Sequence, residues 1–437
     1  MATCFAAPLP DDALVLRVAQ TARVLCLFLA LGAALVAQGF HQRFPTQYRK
    51  AKDDNAITAL NLRLQAGEVQ LPSVGQSGRL RALLAALAVP ESSQMLVFSK
   101  TSLQRHRISR GSPRALFFGP DVYVGWVPGA AMLEVAAGDA RLGLVFYTLV
   151  QDPEEAPVLR RDDSCLSCHG GERTDDEPGL LLRSVFPDAA GDPISSAGEA
   201  LVTLRSPLAE RWGGWLVTGH FAGPHRGNGT AVRDDAGNWR VVGRAAADLD
   251  AFAEDFAVGD YPVRTSDVGA LMAMEQQVTV HNLLIRASLQ VRTLLACDAA
   301  LHEASEQPGM RDTTARIVDQ LARQIATTLM FGDEAPLADR DAAADRTFAA
   351  AFASQWPRDS AGRSLGQLDL RERVFVLPLS PMVHSPAFAA MPPELRDAVL
   401  ERLRVALGRG RFPGGVAMTA DQRLALHAHL RATLAGY

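Results

Sequence analysis

The chain has 437 residues, 48% of them hydrophobic and 21% charged, with a net charge of -4. That length has room for two or three domains and a sizeable core. The near-balanced charge, with no polybasic tract, gives no footing for nucleic acid as a partner.

At the N-terminus, Arg17 and Arg23 precede an apolar run from Val24 to Ala37. At about fourteen residues this run is short for a membrane span and suits the h-region of a signal peptide. Residues 1–38 are therefore read as an export signal or an uncleaved N-terminal anchor, although Asp11 and Asp12 are unusual ahead of such a region. Both versions place the body of the protein in the periplasm, with the membrane touched only through a retained anchor.

Residues 41–95 read as helical, from Ala56-Ile57, Leu60 and Leu62 and from Leu80, Leu83, Leu84 and Leu87, with Pro72 and Gly75 as breakers. A run of short apolar stretches follows, over 95–98, 115–118, 122–127, 132–135 and 144–149, separated by Gly119-Pro120-Asp121, Pro128-Gly129 and Gly138-Asp139. These are the marks of a small antiparallel sheet.

Directly after it stands Cys165-Leu166-Ser167-Cys168-His169. Cys-x-x-Cys-His is the spacing at which haem is covalently attached. Two thiols three apart can form thioethers to two vinyl groups of one porphyrin, and the adjoining imidazole is then held under the iron as an axial ligand. A zinc site needs two further ligands, and Cys4, Cys26 and Cys297 are isolated, so zinc would have to recruit histidines. A redox dithiol remains the other alternative. The sequence holds one such motif, which excludes multihaem chains built on several attachment sites.

Beyond the motif, Leu180–Phe186 reads as a strand. Ser206-Pro207 reads as the start of a short helix with Ser206 as N-cap. The segment Arg211-Trp212-Gly213-Gly214-Trp215 has the composition to let backbone approach a flat apolar group, or equally to form a tight strand packed in the core with the nearby histidines exposed. Ser266-Asp267 caps an amphipathic helix from Val268 to Cys297, on which Leu271, Met274, Val278, His281 and Ile285 form one stripe. Further helices are expected over 313–330, 338–355, 392–407 and 421–434, with His427 and His429 on the surface. For a second iron ligand His225 ranks first, then His281, His220 and the methionines, among them Met272 and Met274. Arg358 and Arg363 fall in a turn and are read as solvated or paired rather than as propionate partners.

The motif, Ser206-Pro207-Leu208-x-Glu210-Arg211-Trp212-Gly213-Gly214-Trp215 and His225-x-Gly227-Asn228 carry a resemblance. So do Ser99-Lys100-Thr101-Ser102-Leu103-Gln104, His281-Asn282, Pro357-Arg358-Asp359 through Leu365, and Ser385-Pro386-Ala387-Phe388. On these the chain resembles a family of exported bacterial cytochrome c-like proteins. It departs where the family pattern has Thr-Gly-Thr-His-Gly and this chain has Thr218-Gly219-His220-Phe221, and where the family has a His at Gln276. The resemblance implies one covalent haem c in an exported protein, with no stated reaction.

The expectation is thus an α+β chain, predominantly helical with a small antiparallel sheet before the motif. Its segments are 39–150, a haem-binding region over 151–262 and a C-terminal helical region over 263–437. The functional expectation is a periplasmic mono-haem c-type cytochrome that transfers electrons to or from a redox partner protein. Cys165, Cys168 and His169 bind the cofactor, and His169 and His225 the iron. The alternative is a haem enzyme or gas sensor with an open distal site, served by Arg226, His220 or His281.

Overall fold

The computed structural model describes residues 39–305, 309–332, 334–337, 341–409 and 418–437. The expected signal or anchor over 1–38 lies outside these residues.

The apolar runs between turn residues form strands, as alternation and turn chemistry require. They are β1 (Met95–Val97), β2 (Arg114–Phe118), β3 (Val122–Trp126), β4 (Met132–Asp139), β5 (Gly143–Val150) and β6 (Leu159–Arg161). Each pairs antiparallel with the next. Two hairpin strands follow, β7 (Arg183–Val185) and β8 (Glu199–Leu201), and then β9 (Trp215–Leu216) adds to the free edge of β1. The sheet therefore has seven strands in the order β6-β5-β4-β3-β2-β1-β9, larger than expected. A separate hairpin, β10 (Gly229–Arg233) with β11 (Trp239–Gly243), completes the strands.

Of the helical expectation over 41–95, two short α-helices are realised, α1 (Ala56–Gln65) and α2 (Leu80–Ala86). Asn55 caps α1 and ties it to the sheet through Tyr147, while Asn61 exchanges two bonds with the backbone of Leu159. This covers one face of the sheet. After a single helical turn, α3 (Leu166–His169), comes α4 (Val268–Ser305), which crosses the other face. All five residues of β3 are buried because both faces are covered, so that strand reads as a continuous apolar run rather than an alternating one.

Helix α4 runs 38 residues, past the expected end at Cys297. Its N-cap is Asp267, whose Oδ1 accepts from Gly269 and Ala270. Ser266 turns instead to the sheet edge, accepting from Leu96 N–H and donating to the Leu216 carbonyl. Helix α5 (Asp312–Leu329) buries Val318, Leu321, Ile325 and Leu329 at helical spacing and packs on α8 (Pro393–Arg409). Helix α6 spans Arg346–Ser354, so the expected helix from 338 begins later. The short α7 (Pro386–Ala389) and terminal α9 (Ala420–Thr433) complete the set. His429 on α9 is fully buried, with Nδ1 3.4 Å from Asp359, which corrects its expected surface position. A single buried cluster runs from Tyr48 to Leu430, so the segments 39–150, 151–262 and 263–437 share one core.

Ser206 is not a helix cap; its Oγ accepts from Thr203 N–H, and the following turn is a 3-10 helix over Leu208–Glu210. The Trp-Gly-Gly-Trp segment is a tight turn with Trp212 at φ 66° and Gly214 at φ 90°. A Cβ on Gly214 would stand 2.5 Å from the Ser99 side chain, so this glycine serves close approach to the protein's own Ser99 rather than to a flat ligand. Fully buried Glu275 on α4 holds the turn. It accepts from Arg211 Nη1 at 2.7 Å and from Trp212 Nε1 at 2.7 Å. Removing one partner of a buried pair leaves an uncompensated charge. Glu275→Ala is accordingly expected to lower the unfolding free energy in urea by about 3–5 kcal/mol; a loss under about 1 kcal/mol would show that this pair does not anchor the turn.

Candidate functional site

Strand β6 delivers the chain to the motif. Asp162 accepts from Ser164 N–H and so caps a 3-10 turn over Asp163–Cys165 that runs directly into α3. Helical spacing puts residues three and four apart on one side, and buried Leu166 anchors the turn from the opposite side. Cys165, Cys168 and His169 consequently line one cavity. Its opposing wall is the sheet face carrying Tyr123, Gly125, Glu134 and Phe146; the segment 180–183, Trp215 and Met274 close the sides. The space is about 170 Å³ at its core and about 1210 Å³ with its open mouth included.

His169 is fixed at three points. Its Nδ1 lies 2.8 Å from the Gly179 carbonyl, and its own carbonyl accepts from Gly179 N–H at 2.8 Å. Phe146 packs against the ring, centroids 4.9 Å apart. Gly179 is positioned in turn by Asn282 of α4, whose side chain accepts from Leu180 N–H at 3.0 Å and donates to the Leu180 carbonyl at 2.8 Å. A Cβ on Gly179 would meet Asn282 Oδ1 at 3.0 Å. Burial lowers the His169 pKa, with the Gly179 carbonyl opposing. The ring is therefore held neutral with its proton on Nδ1, which leaves the Nε2 lone pair as its coordinating atom.

The two thiols are unpaired. Cys168 is exposed, whereas Cys165 is half-buried. Burial first, and then the charges of Asp162 and Glu134, push its thiol up to about 12. Three guanidinium groups reach the cavity: Arg114, paired with Glu134, and Arg173 and Arg183, both paired with Glu199. The Nε atoms of Arg114 and Arg183 are buried without a partner among the described residues.

The structure does not bring His225 to this cavity. Its ring packs against Trp212 and Phe221, and its Nδ1 accepts from Gly227 N–H at 2.9 Å. His281 is fully buried on α4 behind Tyr123, whose hydroxyl contacts its Nδ1 at 2.8 Å. His220 is exposed, and Arg226 lies over the Phe186 ring. Arg358 and Arg363 sit in the turn with Asp359, away from the cavity. Of the methionines, Met274 lines the cavity, one turn before Val278 on the same stripe. Sequence reasoning missed Gly179, Asn282 and the sheet face; the His281-Asn282 pair within the resemblance was the available signal.

Among the described residues no group of three or more His, Cys, Asp or Glu side chains could hold a metal ion on its own, and no helix is long and apolar enough to cross a membrane. Comparison with family models, with curated proteins and with solved structures found no match.

The thiol geometry is testable without any cofactor. Because the thiolate is the nucleophile, iodoacetamide at pH 8 should label Cys168 at least about tenfold faster than Cys165 in the haem-free chain. Labelling of Cys165 should keep accelerating with pH toward about 12. Peptide mass spectrometry reads both sites, and equal rates would mean that Cys165 is not held against the cavity wall.

Proposed function

We propose that the protein is an exported, periplasmic mono-haem c-type cytochrome whose work is electron transfer. The observation carrying this reading is that both thiols and the His169 imidazole meet at one cavity, with Nδ1 tied to a carbonyl and Nε2 left to coordinate. The residues present fit a covalently held porphyrin. Cys165 and Cys168 would carry the thioethers and His169 the iron. Phe146, Leu180 and Leu182 on the walls would shield the porphyrin from water, and Arg114 and Arg183, whose buried Nε atoms lack partners among the described residues, are suited to its carboxylates. A porphyrin brings four iron ligands of its own, so the lack of a protein-only metal cluster is no obstacle. Bound haem supplies a one-electron couple whose potential follows the axial ligand, burial and hydrogen bonding.

The two alternatives to haem are less well supported. A reactive dithiol needs a lowered thiol pKa, and burial drives Cys165 in the opposite direction. Zinc would need further ligands, and none of the histidines outside the motif lines the cavity.

Met274, not His225, is the side chain on the cavity wall that would supply a second ligand to the iron. A thioether there favours electron transfer, because the iron would change oxidation state without exchanging ligands. The rival reading, a haem enzyme or gas sensor, is favoured by one observation: His169 is the single imidazole on the cavity wall, so without Met274 the second face would be open.

Optical spectra separate the two. The wild type is expected to be low-spin and, once reduced, indifferent to carbon monoxide; Met274→Leu should become high-spin and bind carbon monoxide, while His225→Ala leaves the spectrum unchanged. A wild-type spectrum that is high-spin and shifts with carbon monoxide would support the enzyme or sensor instead.

A further inference from the structure

Behind the wall of the motif cavity lies a second cavity of about 380 Å³, bounded by Asp121, His281, Ser288, Arg292, Leu284 and Ile285 among others. Tyr123 lines the first cavity and is not part of the second. Three side chains bridge the two spaces.

The direction of the bridge follows from its hydrogen bonds. Gln277 Nε2 donates to the Gly119 carbonyl at 2.7 Å and to the Tyr123 hydroxyl oxygen at 2.9 Å, which sets the way its amide faces. With its oxygen accepting, Tyr123 donates its own proton to His281 Nδ1 at 2.8 Å. The imidazole proton then sits on Nε2, which faces Asp121 Oδ1 at 3.5 Å. Neither Nε2 nor that oxygen has a hydrogen-bond partner among the described residues. The His281 side chain is 0% exposed and the Asp121 side chain 20% exposed, so the chain runs from a dry wall to a carboxyl group that meets solvent. An imidazole N–H aimed at a carboxyl oxygen but held off it is a costly thing to bury, and an apolar side chain at position 281 would fill the same space.

We propose that Asp121, at the outer end of the Tyr123–His281 chain, is a proton-loading site whose occupancy follows electron gain and loss in the first cavity. This rests on the haem reading above. For each electron that a one-electron donor delivers, one proton from solvent joins the chain at Asp121; each electron withdrawn releases it. The proton passes between solvent and the Asp121 carboxyl, forming and breaking only an O–H bond there; Tyr123 and His281 keep their protons, since His281 Nε2 already carries one and the other partner of the Tyr123 hydroxyl is the Gln277 amide.

The charged and titratable groups facing His281 are Asp121 and Tyr123 from β3 and its turn, Asp139 from the end of β4, Asp54 before α1, and Arg292 from its own helix. Burial, and after it the Asp139 charge, raises Asp121 to about 7. Burial lowers His281 to about 4. Asp121 is thus the group that loads near neutral pH, while His281 stays neutral.

The test is the haem midpoint potential of the full-length, haem-bearing protein, followed optically from pH 5 to pH 9. An added electron raises the proton affinity of Asp121, so the midpoint should fall as pH rises, by up to about 59 mV for each tenfold fall in proton concentration. Asp121→Asn should flatten this slope with the optical spectrum unchanged. Tyr123→Phe, which keeps the packing and the Asp121 carboxyl, should leave the slope in place. Asp139→Asn should keep the slope and move its window to lower pH. A slope that survives Asp121→Asn, or a wild type with no slope, would overturn the loading site while leaving the haem reading intact. A protein that retains no haem would overturn both.

Discussion

The bond from His169 Nδ1 to the carbonyl of Gly179 decides which nitrogen of the ring is free to coordinate, and the reciprocal bond from Gly179 N–H to the His169 carbonyl fixes where that ring stands. A helix of one turn cannot hold such geometry by itself. Its rigidity is borrowed: Asn282 grips the backbone beside Gly179 from the middle of the long helix α4, and that helix is locked to the sheet through Tyr123, Gln277 and His281. The chemistry of a five-residue motif thus depends on a helix more than a hundred positions later in the chain.

The same helix unites the molecule. Glu275 fastens the turn at Trp212, His281 backs the sheet, and Asn282 sets the motif, within eight consecutive positions of α4. These polar groups are buried and, with the exceptions of His281 Nε2, Gln276 Nε2 and Gln277 Oε1, satisfied. Interior polar groups are tolerated when their partners are present. A stripe that reads as ordinary helix core is therefore also the surface against which the cavity is assembled.

Much of this was legible in the sequence and part of it was not. The first five strands follow from short apolar runs bounded by Gly, Pro and Asp, and the long helix from its apolar stripe with Asp267 ahead of it. The motif singled out Cys165, Cys168 and His169, which the structure sets around one cavity. Hidden were the relations between distant segments. Nothing local marks Trp215-Leu216 as an edge strand for Met95–Val97, because the pairing is set by tertiary packing. Turn composition made His225 look presentable to an open face, while the structure turns its ring onto Trp212 and Phe221. His429 was expected on the surface, and it is buried where it meets Asp359 and the His384 ring across the fold. Met274 was read as core, and it is: the cavity wall and the core are one surface at that point.

The central claim concerns two covalent bonds, and the peptide that would carry them can be isolated. Trypsin should release Asp162–Arg173 from protein recovered from the periplasm of a host equipped for haem attachment. The account predicts a fragment that absorbs as haem, weighs one haem more than its sequence and offers no thiol for alkylation. Recovery of the same peptide without that mass, with Cys165 and Cys168 both open to alkylation, would contradict it.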